Sequence, residues 1–133
     1  MSELLPLTGI RVLDFGTAWA GPQIGEVLSD LGAEVIKIES RTKLDGLRVG
    51  RPMVGDVLKG DAGQEPELQP IFHSLNRGKK SLTIDFKKPE GRELLLRLIA
   101  LSDVLTENFS PGVMDRAGIG YGEWWYTLYE WSA

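Results

Sequence analysis

Apolar positions in this chain fall into short blocks separated by turn-forming residues, and their period changes from block to block. Ile10 to Phe15 is an apolar run closed by Gly16, the pattern of a strand buried on both faces. Gly16-Thr17-Ala18-Trp19-Ala20-Gly21-Pro22 then reads as a turn, with Pro22 suited to the first position of a helix, where its missing N–H leaves no bond unmade. Ile24, Val27, Leu28 and Leu31 follow at i, i+3, i+4 and i+7 and predict one apolar helix stripe. Gly32 supplies the stop, because it accepts a left-handed cap without a Cβ clash. Val35, Ile36 and Ile38 predict a second strand, ended by Glu39 and Ser40. A strand–helix–strand unit of this kind implies parallel pairing.

Residues 40–75 break the rhythm with scattered Gly, Pro and charges of both signs, and predict a long loop inside the domain. Order returns with a strand over Ser81–Phe86 and a helix opened by Pro89. In that helix Leu94, Leu95, Leu98 and Ile99 are expected on the core side, with Glu90, Glu93 and Arg97 on the wet side. A fourth strand over Asp103–Phe109 leads through Ser110 and Pro111 into a short helical turn that ends at Arg116 and is closed by Gly118. The series predicts a Rossmann-like, doubly wound α/β domain over residues 1–122, with a mainly parallel sheet and flanking helices. Residues 123–133 differ: Trp124, Trp125, Tyr126, Tyr129 and Trp131 crowd together. They read equally as an amphipathic helix or as a terminus made by truncation or a change of frame.

Composition narrows the function classes. At 133 residues with 42% hydrophobic and 26% charged positions, a single packed domain is expected. A net charge of −4 argues against an electrostatic grip on nucleic acid or acidic membranes. There is no cysteine and only one histidine, His73, so a thiolate or multi-histidine metal site is not expected. Neither a signal-peptide pattern nor an apolar run near the roughly 20 residues of a membrane span is present, which predicts a soluble cytoplasmic protein.

Candidate chemistry gathers at the expected carboxyl ends of strands, where open α/β sheets place ligands. Ala18 to Gly21 lie there, and two readings fit: contact with a cofactor phosphate or pantetheine arm, or a tight strand-to-helix turn. The basic run Asn76-Arg77-Gly78-Lys79-Lys80, with Lys87 and Lys88, fits either a phosphate contact or a solvated loop. At Asn108-Phe109-Ser110, Phe109 offers a flat face for a purine and Arg116 a fork for phosphate; the alternative is a core-closing Phe beside a solvated Arg. Glu39 sits where dinucleotide folds place a ribose-binding acid. However, Gly16, Gly21 and Gly25 lack the fingerprint spacing, which disfavours NAD. Asp14, inside an apolar strand, is expected to accept hydrogen bonds. No pair of carboxylates is marked by spacing as acid and base.

The segments Leu7-Thr8-Gly9-Ile10-Arg11-Val12-Leu13-Asp14-Phe15, Ala20-Gly21-Pro22 and Asp30-Leu31-Gly32-Ala33-Glu34-Val35-Ile36-Lys37-Ile38-Glu39 resemble the start of family III CoA-transferases, the CaiB/BaiF family. Asn76 to Asp85, Lys88 to Arg92, Glu107-Asn108-Phe109 and Pro111 to Arg116 continue the resemblance, which runs over about residues 5–122. It implies the N-terminal, CoA-binding part of a longer enzyme that works as an interlocked homodimer without a metal. Its substrates would be an acyl-CoA and a free carboxylic acid. Ala18 and Trp19 would line the CoA path. Ile84, Asp85, Phe86 and Lys87 would flank the nucleotide together with Asn108, Phe109 and Ser110, and Arg116 would help to hold it. A basic residue usual after the second strand falls on Ser40, with Arg41 as its substitute. In the family an Asp attacks the donor thioester and passes through a mixed anhydride to an aspartyl-CoA thioester. That Asp is expected beyond Gly118-Ile119-Gly120-Tyr121, so no catalytic residue is assigned within the chain. An α-methylacyl-CoA racemase-like enzyme and an inactive CoA-binding fragment are the alternatives.

Overall fold

The computed structural model describes residues 4–49 and 69–122. Four strands, β1 (Arg11–Asp14), β2 (Glu34–Glu39), β3 (Lys80–Thr83) and β4 (Val104–Thr106), form one sheet in the order β3-β2-β1-β4. All three pairings are parallel: Val12 lies opposite Val35 and Val104, and Ile38 opposite Leu82. The helices are α1 (Ala20–Asp30), α2 (Gly46–Val49), α3 (Pro70–Leu75), α4 (Pro89–Ala100) and α5 (Val113–Arg116).

The apolar centre of β1, Val12-Leu13, follows from its central place, because both of its faces are covered, and the charges at its ends, Arg11 and Asp14, are paired. Side chains alternate across the sheet. Leu13, Phe15 and Ile38 pack with Leu95 and Ile99 of α4, Met114 of α5 and Ile119. On the opposite face Val12, Ala33 and Val35 pack with Leu7, Ile10 and Leu28 of α1. This is the doubly wound α/β arrangement expected from the sequence.

Several boundaries and faces differ from expectation. The strands are shorter than their apolar runs, since the chain turns out of the sheet after Thr83 and folds over the core. There the Phe86 ring meets Phe15 edge-on at 6.2 Å. Helix α1 begins at Ala20, which puts Pro22 at its third position, still among the N–H groups that no helix bonds internally. Its expected apolar stripe is largely not the buried face: Ile24, Val27 and Leu31 are 49%, 51% and 41% exposed, and only Leu28 packs. The buried face carries Gly21, Pro22, Gly25 and Glu26 instead. Close backbone approach to β1 sets the orientation: a Cβ on Gly25 would lie 2.6 Å from Asp14 Oδ2, and one on Gly21 would lie 2.7 Å from Gly16 Cα.

Helix α4 opens on Pro89 as expected and buries Leu95 and Ile99, whereas Leu94 is exposed. One residue along a helix turns about 100°, so Leu94 falls off the face centred on Leu95, Leu98 and Ile99. The stretch expected to be loop, residues 40–75, contains α2 and α3; Phe72 and Leu75 of α3 are buried, while His73 is exposed and meets the Phe72 ring edge-on at 5.7 Å. The aromatic tail at 123–133 and residues 50–68 lie outside the described residues.

Candidate functional site

The carboxyl ends of the strands form one rim, and its centre is the turn between β1 and α1. Four side chains from different parts of the fold hold that turn. Asp14 Oδ1 accepts the Gly16 N–H at 2.7 Å, and Lys37 Nζ donates to the Gly16 carbonyl at 2.6 Å. Asn108 closes on Thr17 from both sides, accepting its N–H at 2.8 Å and donating to its carbonyl at 2.9 Å. Asp45 Oδ1 accepts the Ala18 N–H at 3.2 Å and that of Leu47 at 3.0 Å. Ala18 stands at φ 59°, a left-handed conformation that L-residues other than glycine adopt at a cost of about 1–2 kcal/mol. The amides of residues 16–18 are therefore committed to side chains, and a phosphate would have to use the first turn of α1 or nearby cations.

Two buried charge networks brace this turn from below. Lys79 Nζ, with its side chain 1% exposed, donates to Asp14 Oδ2 at 2.6 Å, to the Pro22 carbonyl at 2.6 Å and to Asn76 Oδ1 at 3.0 Å. Thr106 Oγ1 of β4 adds a bond to Asp14 Oδ1 at 3.2 Å, so Asp14 accepts hydrogen bonds as expected. In the second network Lys37 Nζ lies 3.3 Å from Asp45 Oδ2, close enough for ion pairing but not aligned as a hydrogen bond. Beside it, Arg48 forks onto Glu39 at 2.7 and 2.9 Å and stacks 3.7 Å above the Phe72 ring.

Glu39 is thus taken up by Arg48 and by Ser81 Oγ, and it is not presented as a ribose ligand. Burial alone would raise its pKa; the hydrogen bonds from Arg48 and Ser81 outweigh that and hold the carboxyl below its ordinary value.

The cations of the basic run 76–80, read from sequence as a phosphate contact or a solvated loop, are paired with carboxylates. Arg77 pairs with Glu26 and, at 2.5 Å, with Asp30; Lys79 is sealed against Asp14; Lys80 reaches Glu34 at 2.5 Å. By contrast, Arg41, Lys43, Lys87, Lys88 and Arg116 have no carboxylate partner among the described residues, and all follow the carboxyl ends of β2, β3 or β4. Ser40 builds the turn that carries Arg41, its Oγ accepting the N–H groups of Thr42 and Lys43 at 3.2 Å each.

The expected contact residues divide accordingly. Ala18 and Trp19 follow β1 at the middle of the rim, both exposed, and Asn108 is joined to them through Thr17. Ile84 and Phe86 from one edge of the sheet and Phe109 from the other pack on the same core cluster. Asp85, Lys87 and Ser110 are exposed, and the exits of β3 and β4 stand three strand spacings apart, roughly 14 Å. Arg41 sits at the exit of β2, and Arg116 folds back toward Gly112, where a Cβ would lie 2.9 Å from its Nη1.

A hollow of about 540 Å3 lies along the outer side of β4 between Ile24, Thr106, Glu107, Pro111, Asp115 and Tyr121, and Ser110 alone of the expected contacts lines it. Among the described residues no group of three or more His, Cys, Asp or Glu side chains could hold a metal ion. No helix among them is long and apolar enough to cross a membrane.

Sequence reading missed Lys37 and Asp45. The signal for Lys37 was present: it shares a strand face with Val35 in an otherwise apolar segment, and a charge there must be paired. For Asp45 only a helix-start role could be read, from Leu47 two residues on; its contacts with Ala18 and Lys37 come from distant positions.

Comparison with known proteins completes the picture. The family model of CoA-transferase family III matches residues 7–126. An acyl-CoA transferase of Fusarium pseudograminearum is 44% identical over 115 residues, 86% of this chain and 25% of that protein. A formyl-CoA:oxalate CoA-transferase of Bradyrhizobium diazoefficiens is 42% identical over 113 residues, covering 84% and 24%. The crystal structure of a CaiB/BaiF family protein from Brucella suis superposes with a TM-score of 0.76 at 40% identity, covering 94% of this chain and 31% of that one. This chain therefore spans about a quarter of the length of the curated relatives it matches.

Proposed function

Because the chain belongs to CoA-transferase family III, we propose that it supplies the nucleotide-holding part of an enzyme that moves CoA from an acyl-CoA to a free carboxylic acid. The observation that carries this reading is the division of the cations. Arg11, Lys37, Arg48, Arg77, Lys79 and Lys80 are paired with carboxylates, while Arg41, Lys43, Lys87, Lys88 and Arg116, like Arg92 and Arg97 on α4, form no ion pair among the described residues; the first five follow strand carboxyl ends along the chain. A polyphosphorylated nucleotide suits such a rim, since each shielded charge-assisted bond contributes about 1.5–3 kcal/mol. Either Phe109 or Phe86, each half-buried against the core at opposite edges of the sheet, would offer its outer edge to the adenine. The open turn at Ala18 and Trp19 offers a path for the pantetheine arm.

In the proposed reaction an Asp carboxylate attacks the donor thioester carbonyl, forming a mixed anhydride and releasing CoA thiolate. The thiolate then attacks the aspartyl carbonyl, which gives an aspartyl-CoA thioester and frees the donor acid. The acceptor carboxylate repeats these steps in reverse and leaves as the new acyl-CoA. We assign the nucleophile to the part of the family fold outside the quarter that this chain spans. Pairing with a second copy and a cytoplasmic setting belong to the same proposal. The relatives' names favour transfer over α-proton racemisation, and formyl-CoA with oxalate is the first donor–acceptor pair to try.

The test is a CoA titration of the 133-residue chain followed by thermal unfolding. At about a hundredfold excess over Kd, binding to the folded state alone adds about 2.7 kcal/mol. An unchanged Tm and no binding heat would overturn the reading.

A further inference from the structure

We infer that Asp45 is a positioning residue for the CoA path: it latches the β1–α1 turn in its left-handed form through the Ala18 N–H. The inference rests on the CoA reading above. Asp45 lies in the segment leading into α2, yet its side chain is buried against the turn, 3% exposed, and so is that of Lys37. One oxygen binds the amides of Ala18 and Leu47, tying the turn to the start of α2. The other faces Lys37 Nζ, which donates to the Gly16 carbonyl. Carboxylate and ammonium thus fix the two ends of one three-residue turn.

Left-handed Ala18 is the residue this latch restrains. Without an acceptor for its N–H, nothing offsets the Cβ crowding at φ 59° and the residue relaxes toward an ordinary conformation. Trp19, the next residue, would then swing away from the rim, and the first turn of α1 would lose its aim. Asn108 cannot substitute, because both of its bonds go to Thr17. Asp45 touches no reacting atom in this scheme; it acts through Ala18.

The experiment compares the complete chain with Asp45→Ala, Asp45→Asn and Ile99→Val, reading CoA affinity by calorimetry and exchange of the Ala18 amide by NMR. Asp45→Ala is expected to speed Ala18 exchange and to weaken CoA binding about tenfold, the scale of a displaced contact. Asp45→Asn keeps a carbonyl acceptor and is expected to restore most of both. Ile99→Val, in the core beneath α4, lowers Tm and leaves both readouts unchanged. If Asp45→Ala does not fold, the comparison is made in a Lys37→Met background, which removes the buried ammonium that would otherwise be left unpaired. Wild-type affinity or unchanged Ala18 exchange in Asp45→Ala overturns the inference. Failure of the unmodified chain to bind CoA sinks the CoA reading, while Ala18 exchange still reports on the latch.

Discussion

Lys79 Nζ lies 2.6 Å from Asp14 Oδ2, with both side chains closed off from solvent. Burial lowers the Lys79 pKa, and the Asp14 carboxylate works against that shift. Removing one member leaves a buried charge alone, which costs about 3–5 kcal/mol, whereas removing both costs less. Lys79→Met is therefore expected to destabilise the chain strongly in urea denaturation. The double variant Asp14→Asn/Lys79→Met should recover part of the loss; equal loss in both would argue that the pair is not the dominant contact.

The α1–β1 approach predicts opposite outcomes for two glycines. Gly25→Ala improves helix propensity by about 1 kcal/mol but drives a methyl to 2.6 Å from Asp14 Oδ2, and overpacking of this kind costs about 1–3 kcal/mol. At Gly46, the start of α2, an added methyl would meet nothing within 4 Å among the described residues, so Gly46→Ala should be neutral or stabilising. Thermal midpoints measured side by side decide the matter.

These contacts show which parts of the molecule its sequence makes legible. The parallel sheet could be read because strands covered on both faces require apolar runs, and Val12-Leu13 and Val35-Ile36 supply them. The face of α1 could not, because periodicity ranks side chains by size. Here Gly21 and Gly25 decide the orientation by having none, and Ile24 and Val27 are left outside. The run Asn76 to Lys80 misled for a related reason: its cations look solvated until folding brings Asp14, Asp30 and Glu34 to them from far along the chain.

Arg116 makes no ion pair among the described residues, so its removal should leave folding intact and affect only an anionic ligand. Arg116→Gln is expected to keep the wild-type Tm and to weaken CoA binding by about tenfold, or ~1.4 kcal/mol. The difference should shrink as salt is raised, because exposed charges are screened. Calorimetric titrations at low and high salt test both parts, and Lys87→Gln offers a second arm at the opposite edge of the sheet.

Acid should weaken the Glu39–Arg48 network. Glu39 titrates below its ordinary value of 4.5 when folded, so its contribution to stability is complete above that pH and is lost as pH falls through the lower folded value. Glu34, lowered by Lys80 and Arg11, adds to the same acid limb. Urea midpoints followed from about pH 6 to about pH 3 are expected to decline, and Glu39→Gln should flatten the decline in part. An unaltered slope in that variant would assign the acid limb elsewhere.

Along the chain, the first of these four strands occupies the interior of the sheet. β1 gains β2 as a neighbour after one helix, but its other side waits for β4, whose Val104 pairs with Val12 only after β3 and α4 have followed. During that interval Val12 and Leu13 present a bare edge inside a nascent polypeptide, the kind of edge that joins foreign strands. The strand order itself therefore leaves that edge open until β4 arrives.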